Sequence, residues 1–176
     1  MGVKAKLNMR LRTNGMMSEK ETAPAQDSPG VLVFPPLLFL GPLLLGAVLQ
    51  YLWPVHFWPA LPARIVGGIL AVLGGMFAVP ALRGMRRAGT NVHPGKPTTV
   101  ILSDGPYRFT RNPIYVGNTG LYLGLTLLCH AFWPLVTLVP ALLVLHRGVV
   151  RREERYLEAK FGEAYLAYKA RVRRWL

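Results

Sequence analysis

The run "NPIYVGNTGLYLGLTLLCHAFWPLVTLVPALLVLH", residues 112–146, decides the fold because its 35 residues include no lysine, arginine, aspartate or glutamate. As one helix the run would be about 52 Å long, whereas the apolar core of a bilayer is about 30 Å thick. It is therefore either one over-long helix or two short membrane spans that break at "CHAFWP", residues 129–134.

The placement of basic residues separates these two interpretations. Of the 21 lysines and arginines, five lie in 1–30, one is Arg64, six lie in 83–111 and nine lie in 147–176. With four spans, all of them except Arg64 fall on one side of the membrane, as the positive-inside rule requires. The sequence thus predicts an all-α integral membrane protein with about four spans and both termini in the cytosol. The membrane would be the bacterial inner membrane, or the endoplasmic reticulum in a eukaryote.

Two further apolar runs supply the other spans, so that the predicted spans are about 31–53, 65–82, 113–129 and 133–149. The glycines of 65–82 favour close packing against another helix. A cytosolic loop, 83–112, joins the second and third spans. Residues 1–30 are polar and lack the apolar core of a signal peptide, which predicts a disordered tail ahead of a membrane domain over 31–176.

Other classes of function are disfavoured by the same patterns. The net charge of +13 lies at the ends of spans, where it orients the protein and meets anionic lipid, so we expect no nucleic-acid partner. No pair of histidine or acidic residues has ligand spacing on one helix face, and no metal site is expected. The sequence leaves the oligomeric state open.

The apolar periodicity of the tail beyond the last span predicts an amphipathic helix over 150–172. On a helical wheel Glu154 falls within its apolar stripe, whereas Glu153 falls on the solvated face. A buried carboxylate needs a partner, and Arg108 or Arg111 in the loop would provide one.

Three segments of the chain resemble one family of enzymes. They are "AGTNVHPGKP" (88–97), "DGPYRFTRNPIYVG" (104–117) and "RREERYLEAKFGEAYLAYKARVRRW" (151–175). In this order they look like the superfamily of isoprenylcysteine carboxyl methyltransferases and phospholipid methyltransferases, over roughly residues 65–176. That resemblance implies a small multi-pass membrane enzyme with S-adenosylmethionine as its cofactor.

The resemblance also implies roles for individual residues. The catalytic set would comprise His93, Arg111, Asn112 and Tyr115. The cofactor would be bound by residues of the loop, of the start of the third span and of the C-terminal helix: His93, Pro106, Tyr107, Arg108, Arg111, Pro113, Glu153 and Glu154. Arg108 or Arg111 would pair with the cofactor carboxylate, and Tyr115 would add a cation–π contact to the sulfonium. His93 is either a general base or a residue that contacts the cofactor.

The methyl acceptor stays open at this stage. Asn112 stands where the isoprenylcysteine branch carries histidine, and Thr99 stands where a second loop histidine is expected. Both departures disfavour a prenylated cysteine and leave a lipid-like or small apolar acceptor with a carboxylate, amine or thiol. Two alternatives remain: a membrane NADPH-dependent reductase, for which Arg86 and Arg87 would bind a 2′-phosphate, and a non-enzymatic membrane adaptor.

Overall fold

The computed structural model describes residues 30, 34–56, 58–91 and 97–176. Within these ranges the chain is helical and contains no β-strand. Four helices, a π-helical turn and two short C-terminal helices follow one another, with a 3-10 turn, Gly105–Arg108, before the third helix. The helices are α1 (Pro35–Leu52), α2 (Ala60–Arg87), α3 (Pro113–Leu128), α4 (Trp133–Val144), the π-helical turn Leu145–Val150, α5 (Arg151–Phe161) and α6 (Glu163–Arg171).

Helices α2 and α3 pack against each other through glycines. Gly67 lies against Gly124 and Gly74 lies against Gly117, so the two helices run in opposite directions. A Cβ atom on Gly74 would lie only 2.6 Å from the Gly117 carbonyl oxygen. Backbones this close are the usual result of small residues at a helix–helix contact in membranes, where packing rather than water drives association.

Helices α1 and α4 form the second antiparallel pair. A Cβ atom on Gly46 would meet the backbone of Pro134 at 2.5 Å. The Thr137 hydroxyl donates to the Pro42 carbonyl at 2.8 Å, which satisfies an acceptor near a proline inside α1. At the far end of the pair, the Gln50 side chain accepts the backbone N–H of Phe132 at 2.9 Å and so caps the start of α4.

Among the described residues, three helical segments are long and apolar enough to cross a membrane: Pro35–Leu52, Ala60–Arg87 and the continuous stretch Trp133–Phe161. Large apolar side chains cover their outer faces, among them Leu44 at 57% exposed and Val72 at 64% exposed, as expected of surfaces that face lipid. The 16 residues of α3 correspond to about 24 Å of helix. The fourth span and the side on which each terminus lies therefore stay predictions.

The helix boundaries differ from the sequence prediction in two places. Helix α2 extends well beyond the predicted span 65–82 at both ends, because arginines at its C-terminus can continue a helix into the aqueous phase. The predicted single helix over 150–172 is instead α5 followed by α6. The break lies at Gly162, whose φ of +51° belongs to the left-handed region that glycine adopts without strain.

Candidate functional site

A cavity of about 500 Å³ lies where the loop that follows α2 meets the start of α3 and the C-terminal helices. Its volume is within the range of pockets that bind small molecules, about 300–1,000 Å³. One part of its wall is apolar and is formed by Phe34, Pro35, Leu82, Met85 and Ile114. The remaining wall carries the polar groups that decide what the cavity can bind.

The most buried charge in this wall is the carboxylate of Glu154, which is 5% exposed. Arg174 donates to both of its oxygens, from Nε at 2.9 Å and from Nη2 at 2.7 Å. Nη1 of Arg111 lies 3.3 Å from Glu154 Oε1, an ion pair whose geometry falls short of a hydrogen bond. The Glu154 carboxylate is thus bound by two arginines, and by accepting hydrogen bonds from Arg174 it raises the pKa of that guanidinium.

Arg111 itself is left with unused donors. Its side chain is 8% exposed, and neither Nε nor Nη1 has a hydrogen-bond partner within the described residues. Arg111 lines the cavity. A buried guanidinium whose Nε has no partner and whose Nη1 makes only the long ion pair to Glu154 is suited to bind an anionic group, because an unpaired buried donor costs about 1–3 kcal/mol or more when charged.

Backbone contacts explain how these groups come together. The Arg111 N–H donates to the Arg173 carbonyl at 2.9 Å. The Thr110 hydroxyl and the Asn112 side-chain amide both donate to the Arg174 carbonyl, each at 3.0 Å. The segment just before α3 therefore fixes the chain beyond α6, and that chain in turn places the Arg174 guanidinium on Glu154.

A second polar pair lies on the same wall. The Tyr115 hydroxyl donates to Oε1 of Glu153 at 2.8 Å. Oε2 of Glu153 has no hydrogen-bond partner within the described residues, and both side chains line the cavity. Glu153 therefore offers the cavity a carboxylate oxygen, which Glu154 does not.

Three tyrosines from the loop and α6 complete the polar wall. Tyr168 donates to the Tyr107 carbonyl at 2.7 Å and so holds the loop against α6. Burial, and next the nearby Glu154, raises the pKa of Tyr165 to about 12, and burial also raises the pKa values of Tyr107 and Tyr168. All three phenols therefore stay neutral at physiological pH. Those of Tyr107 and Tyr165 can donate hydrogen bonds into the cavity, whereas Tyr168 already donates its proton to the Tyr107 carbonyl.

Comparison with known proteins identifies the family. The model of the family described as "Phospholipid methyltransferase" matches residues 62–164, which is more than half of the 176-residue chain. The chain belongs to the phospholipid methyltransferase family. A protein of Haemophilus influenzae, named "Uncharacterized protein", is 36% identical over 63 residues, which are 36% of this chain and 79% of that protein. No solved structure matches the chain.

The region that matches the phospholipid methyltransferase family contains the polar wall up to Glu154. Of the residues predicted from the sequence, the structure brings seven together around the cavity: Tyr107, Arg111, Asn112, Pro113, Tyr115, Glu153 and Glu154. Asn112 and Pro113 do so as the N-cap and first residue of α3, since proline is preformed for that position. Membership of the family therefore coincides with a pocket built from its motifs.

Three predicted site residues are not placed in the cavity wall. Arg108 is exposed, and its guanidinium lies over the Phe109 ring at 5.6 Å. Pro106 shapes the turn before α3, where its carbonyl accepts the Phe109 and Thr110 N–H groups, and it does not line the cavity. His93 lies outside the described residues.

The wheel was wrong about Glu153, which it placed on the solvated face. The directions of consecutive side chains around a helix differ by 100°. The cavity contacts a wider part of the α5 surface than the apolar stripe covers, so both glutamates line it. Sequence reasoning also missed Arg174, Tyr165 and Asn118. Arg174 lies beyond the end of the family match at residue 164, and its signals were its place in the family-like segment 151–175 and the basic run "RVRR".

Proposed function

We propose that this protein is an S-adenosylmethionine-dependent methyltransferase of the membrane. Its acceptor is a lipid-like or small apolar molecule that carries a carboxylate, amine or thiol. The observation that carries the proposal is the buried Arg111 guanidinium, which lines the cavity and whose Nε and Nη1 have no hydrogen-bond partner within the described residues. Membership of the phospholipid methyltransferase family supports the transfer of a methyl group.

The groups present in the cavity fit this cofactor. S-adenosylmethionine carries a carboxylate and an ammonium, ribose hydroxyls, an adenine and a sulfonium. Arg111 would hold the carboxylate with its free N–H groups, and Oε2 of Glu153 would accept from the ammonium or a ribose hydroxyl. The Tyr107 ring would stack against the adenine. When bound, the cofactor supplies an electrophilic methyl group.

Glu154 takes a different role from the one expected from the sequence. Both of its oxygens are occupied by arginines, so it would position Arg111 rather than contact the cofactor. Asn112 is likewise a positioning residue, since its amide is bound to the Arg174 carbonyl. The catalytic assignment therefore rests on Arg111 and on the pair formed by Tyr115 and Glu153.

The apolar part of the wall suits the acceptor. Phe34 and Pro35 at the start of α1 and Leu82 and Met85 near the end of α2 line one side of the cavity. Both helices are candidate membrane spans. An apolar acceptor would lie against these side chains, with its reactive atom held near Tyr115 and Glu153.

Methyl transfer to such an acceptor is an in-line displacement, for which holding the two reactants in line supplies much of the rate enhancement. A carboxylate or a thiolate attacks without losing a proton. An ammonium must first lose one, and the free Oε2 of Glu153 is the described group in the cavity wall that would accept it.

The proposed topology places the cavity at the cytosolic face, with both termini on that side and four membrane spans, in agreement with the distribution of basic residues. The rival reductase activity gains no support from the wall of the cavity. Arg86 and Arg87, the pair suited to a 2′-phosphate, are exposed and do not line it.

Calorimetry on the purified full chain in lipid nanodiscs tests the proposal. S-adenosylmethionine and its demethylated product should bind, and NADPH should not. Arg111→Ala should weaken binding of the methyl donor by about tenfold or more, since hydrogen bonds to charged groups are worth about 1.5–3 kcal/mol. Arg108→Ala is the matched control and should leave binding unchanged. Binding of NADPH alone, or equal affinities in the two variants, would refute the proposal.

A further inference from the structure

The residues of the described chain that line a second cavity, of about 420 Å³, are all charged. Glu154 borders both this cleft and the cavity described above. Five of the seven side chains around the cleft are basic and two are acidic: Arg147, Arg151, Arg155, Lys169 and Arg174, with Glu154 and Glu158. We call it the basic cleft.

The two acidic side chains do not neutralise the whole cleft. Glu154 is bound by Arg174 through two hydrogen bonds and is also paired with Arg111. Glu158 is paired with Lys169. Both carboxylates are therefore already engaged, and they are outnumbered by the cations around them.

Three arginines of the basic cleft are not paired with an acidic side chain of the described residues. Arg147, Arg151 and Arg155 are exposed, and within the described residues none of them forms an ion pair. The one side-chain hydrogen bond among them joins Arg155 Nε to the Arg151 carbonyl, which leaves the terminal nitrogens of Arg155 unused. Like charges held close together repel one another, and the arrangement is stabilised when an anion lies between them.

The spacing of the three arginines places their side chains on one side of the helix. They stand four residues apart through the π-helical turn and α5, and residues at this spacing lie on the same side of a helix. Each guanidinium presents planar N–H groups that match the oxygens of a phosphate. The sequence also indicates the position of the cleft relative to the membrane. Arg147 comes directly after the uncharged run 112–146, so the cleft lies at the level where lipid head groups would begin.

We propose that the basic cleft is a binding site for a phosphate group at the membrane surface, separate from the site for methyl transfer. The phosphate is carried either by an anionic phospholipid or by a small soluble phosphate ester. Arg147, Arg151 and Arg155 bind the oxygens of the phosphate. Arg174, which is bound to Glu154, forms the edge of the basic cleft beside that carboxylate. The site stands independently of the proposed methyltransferase activity.

The test uses the full chain in nanodiscs of phosphatidylcholine that contain a minor share of phosphatidylglycerol. Native mass spectrometry counts the phosphatidylglycerol retained by the protein. In a second arm, glycerol 3-phosphate is titrated by calorimetry into the protein in pure phosphatidylcholine. Retained phosphatidylglycerol without binding of glycerol 3-phosphate identifies a phospholipid head group, whereas tight binding of glycerol 3-phosphate identifies a soluble ester. Either result supports the phosphate site.

The variant Arg147→Gln/Arg151→Gln removes two arginines of the basic cleft. Losing the direct contact between one guanidinium and the bound phosphate should cost at least about fivefold in affinity, so binding should fall at least about 25-fold. The control Arg83→Gln/Arg87→Gln removes two exposed arginines at the same spacing from the end of α2, and it should change binding by less than about twofold.

Single Arg155→Gln, which leaves the other two arginines in place, should reduce binding at least about fivefold and guards against a misfolded double variant. Equal weakening in the cleft variant and the control would mean that net charge alone attracts the ligand, and it would overturn the proposal. The absence of binding in both arms would overturn it as well.

Discussion

Replacing Glu154 with glutamine keeps the shape of the side chain and removes its charge. In the protein the carboxylate holds Arg111, which is 8% exposed, and Arg174, which is 33% exposed. After the substitution Arg174 can turn toward water, whereas Arg111 stays buried without a counter-charge. The main cost therefore comes from Arg111.

The size of the effect follows from this burial. Breaking a buried ion pair by removing one partner costs about 3–5 kcal/mol, because the remaining charge is uncompensated. At roughly 2–4 °C per kcal/mol for a chain of this length, the midpoint of thermal unfolding should fall by about 6–20 °C. The matched control is Glu158→Gln, which breaks an ion pair whose side chains are 32% and 37% exposed. A pair this open to solvent contributes less than about 1 kcal/mol, so its midpoint should fall by less than about 4 °C.

Thermal unfolding of the detergent-solubilised protein, followed by intrinsic fluorescence, measures both variants. The double variant Arg111→Met/Glu154→Gln adds a sharper criterion. Once the carboxylate is gone the buried Arg111 charge is unfavourable, so the double variant should be no less stable than Glu154→Gln alone. Similar unfolding midpoints for Glu154→Gln and Glu158→Gln would refute this account of the buried pair. A double variant whose loss of stability equals the sum of the losses in Arg111→Met and Glu154→Gln would refute it as well.

Other features of the structure predict further outcomes. Gly74→Ala should lower the free energy of unfolding by about 1–3 kcal/mol, whereas Gly75→Ala, where a Cβ meets nothing within 4 Å, should be neutral or stabilising in the same denaturation assay. Tyr168→Phe removes the donor to the Tyr107 carbonyl, and amide exchange in 97–110 should then accelerate about fivefold when measured by mass spectrometry. The pKa of Tyr165, near 12 when folded and 10 when unfolded, means that its contribution to stability is present below pH 10 and is lost as the pH rises toward 12. Tyr165→Phe should therefore reduce the slope of unfolding free energy over that window by up to about 1.4 kcal/mol per pH unit.

Local rules in the sequence were sufficient for some of these features. The start of α3 at Asn112 and Pro113 follows from the preference of proline for the first turn of a helix, and the structure has it there. The wheel position of Glu154 was enough to expect a loop arginine as its partner, and Arg111 is that partner. Each of these inferences depends on residues that share one helix or one turn.

The features that sequence reasoning missed depend on contacts between distant segments. Arg174 reaches Glu154 only because Thr110 and Asn112 hold the backbone beyond α6, a contact that spans more than 60 residues of chain. The break at Gly162 had a visible signal in "KFGEAY", but a lone glycine inside an amphipathic pattern does not by itself distinguish a tolerated residue from a left-handed turn.

Transfer of a labelled methyl group from S-adenosylmethionine into a total lipid extract tests the central claim most directly. The purified protein in nanodiscs and its Arg108→Gln variant should both place label in the organic phase. Arg111→Gln should place at least about tenfold less there, and it should stay folded because Arg174 still pairs with Glu154. An organic phase without label, or equal transfer by the two variants, would contradict the assignment of this cavity to methyl transfer.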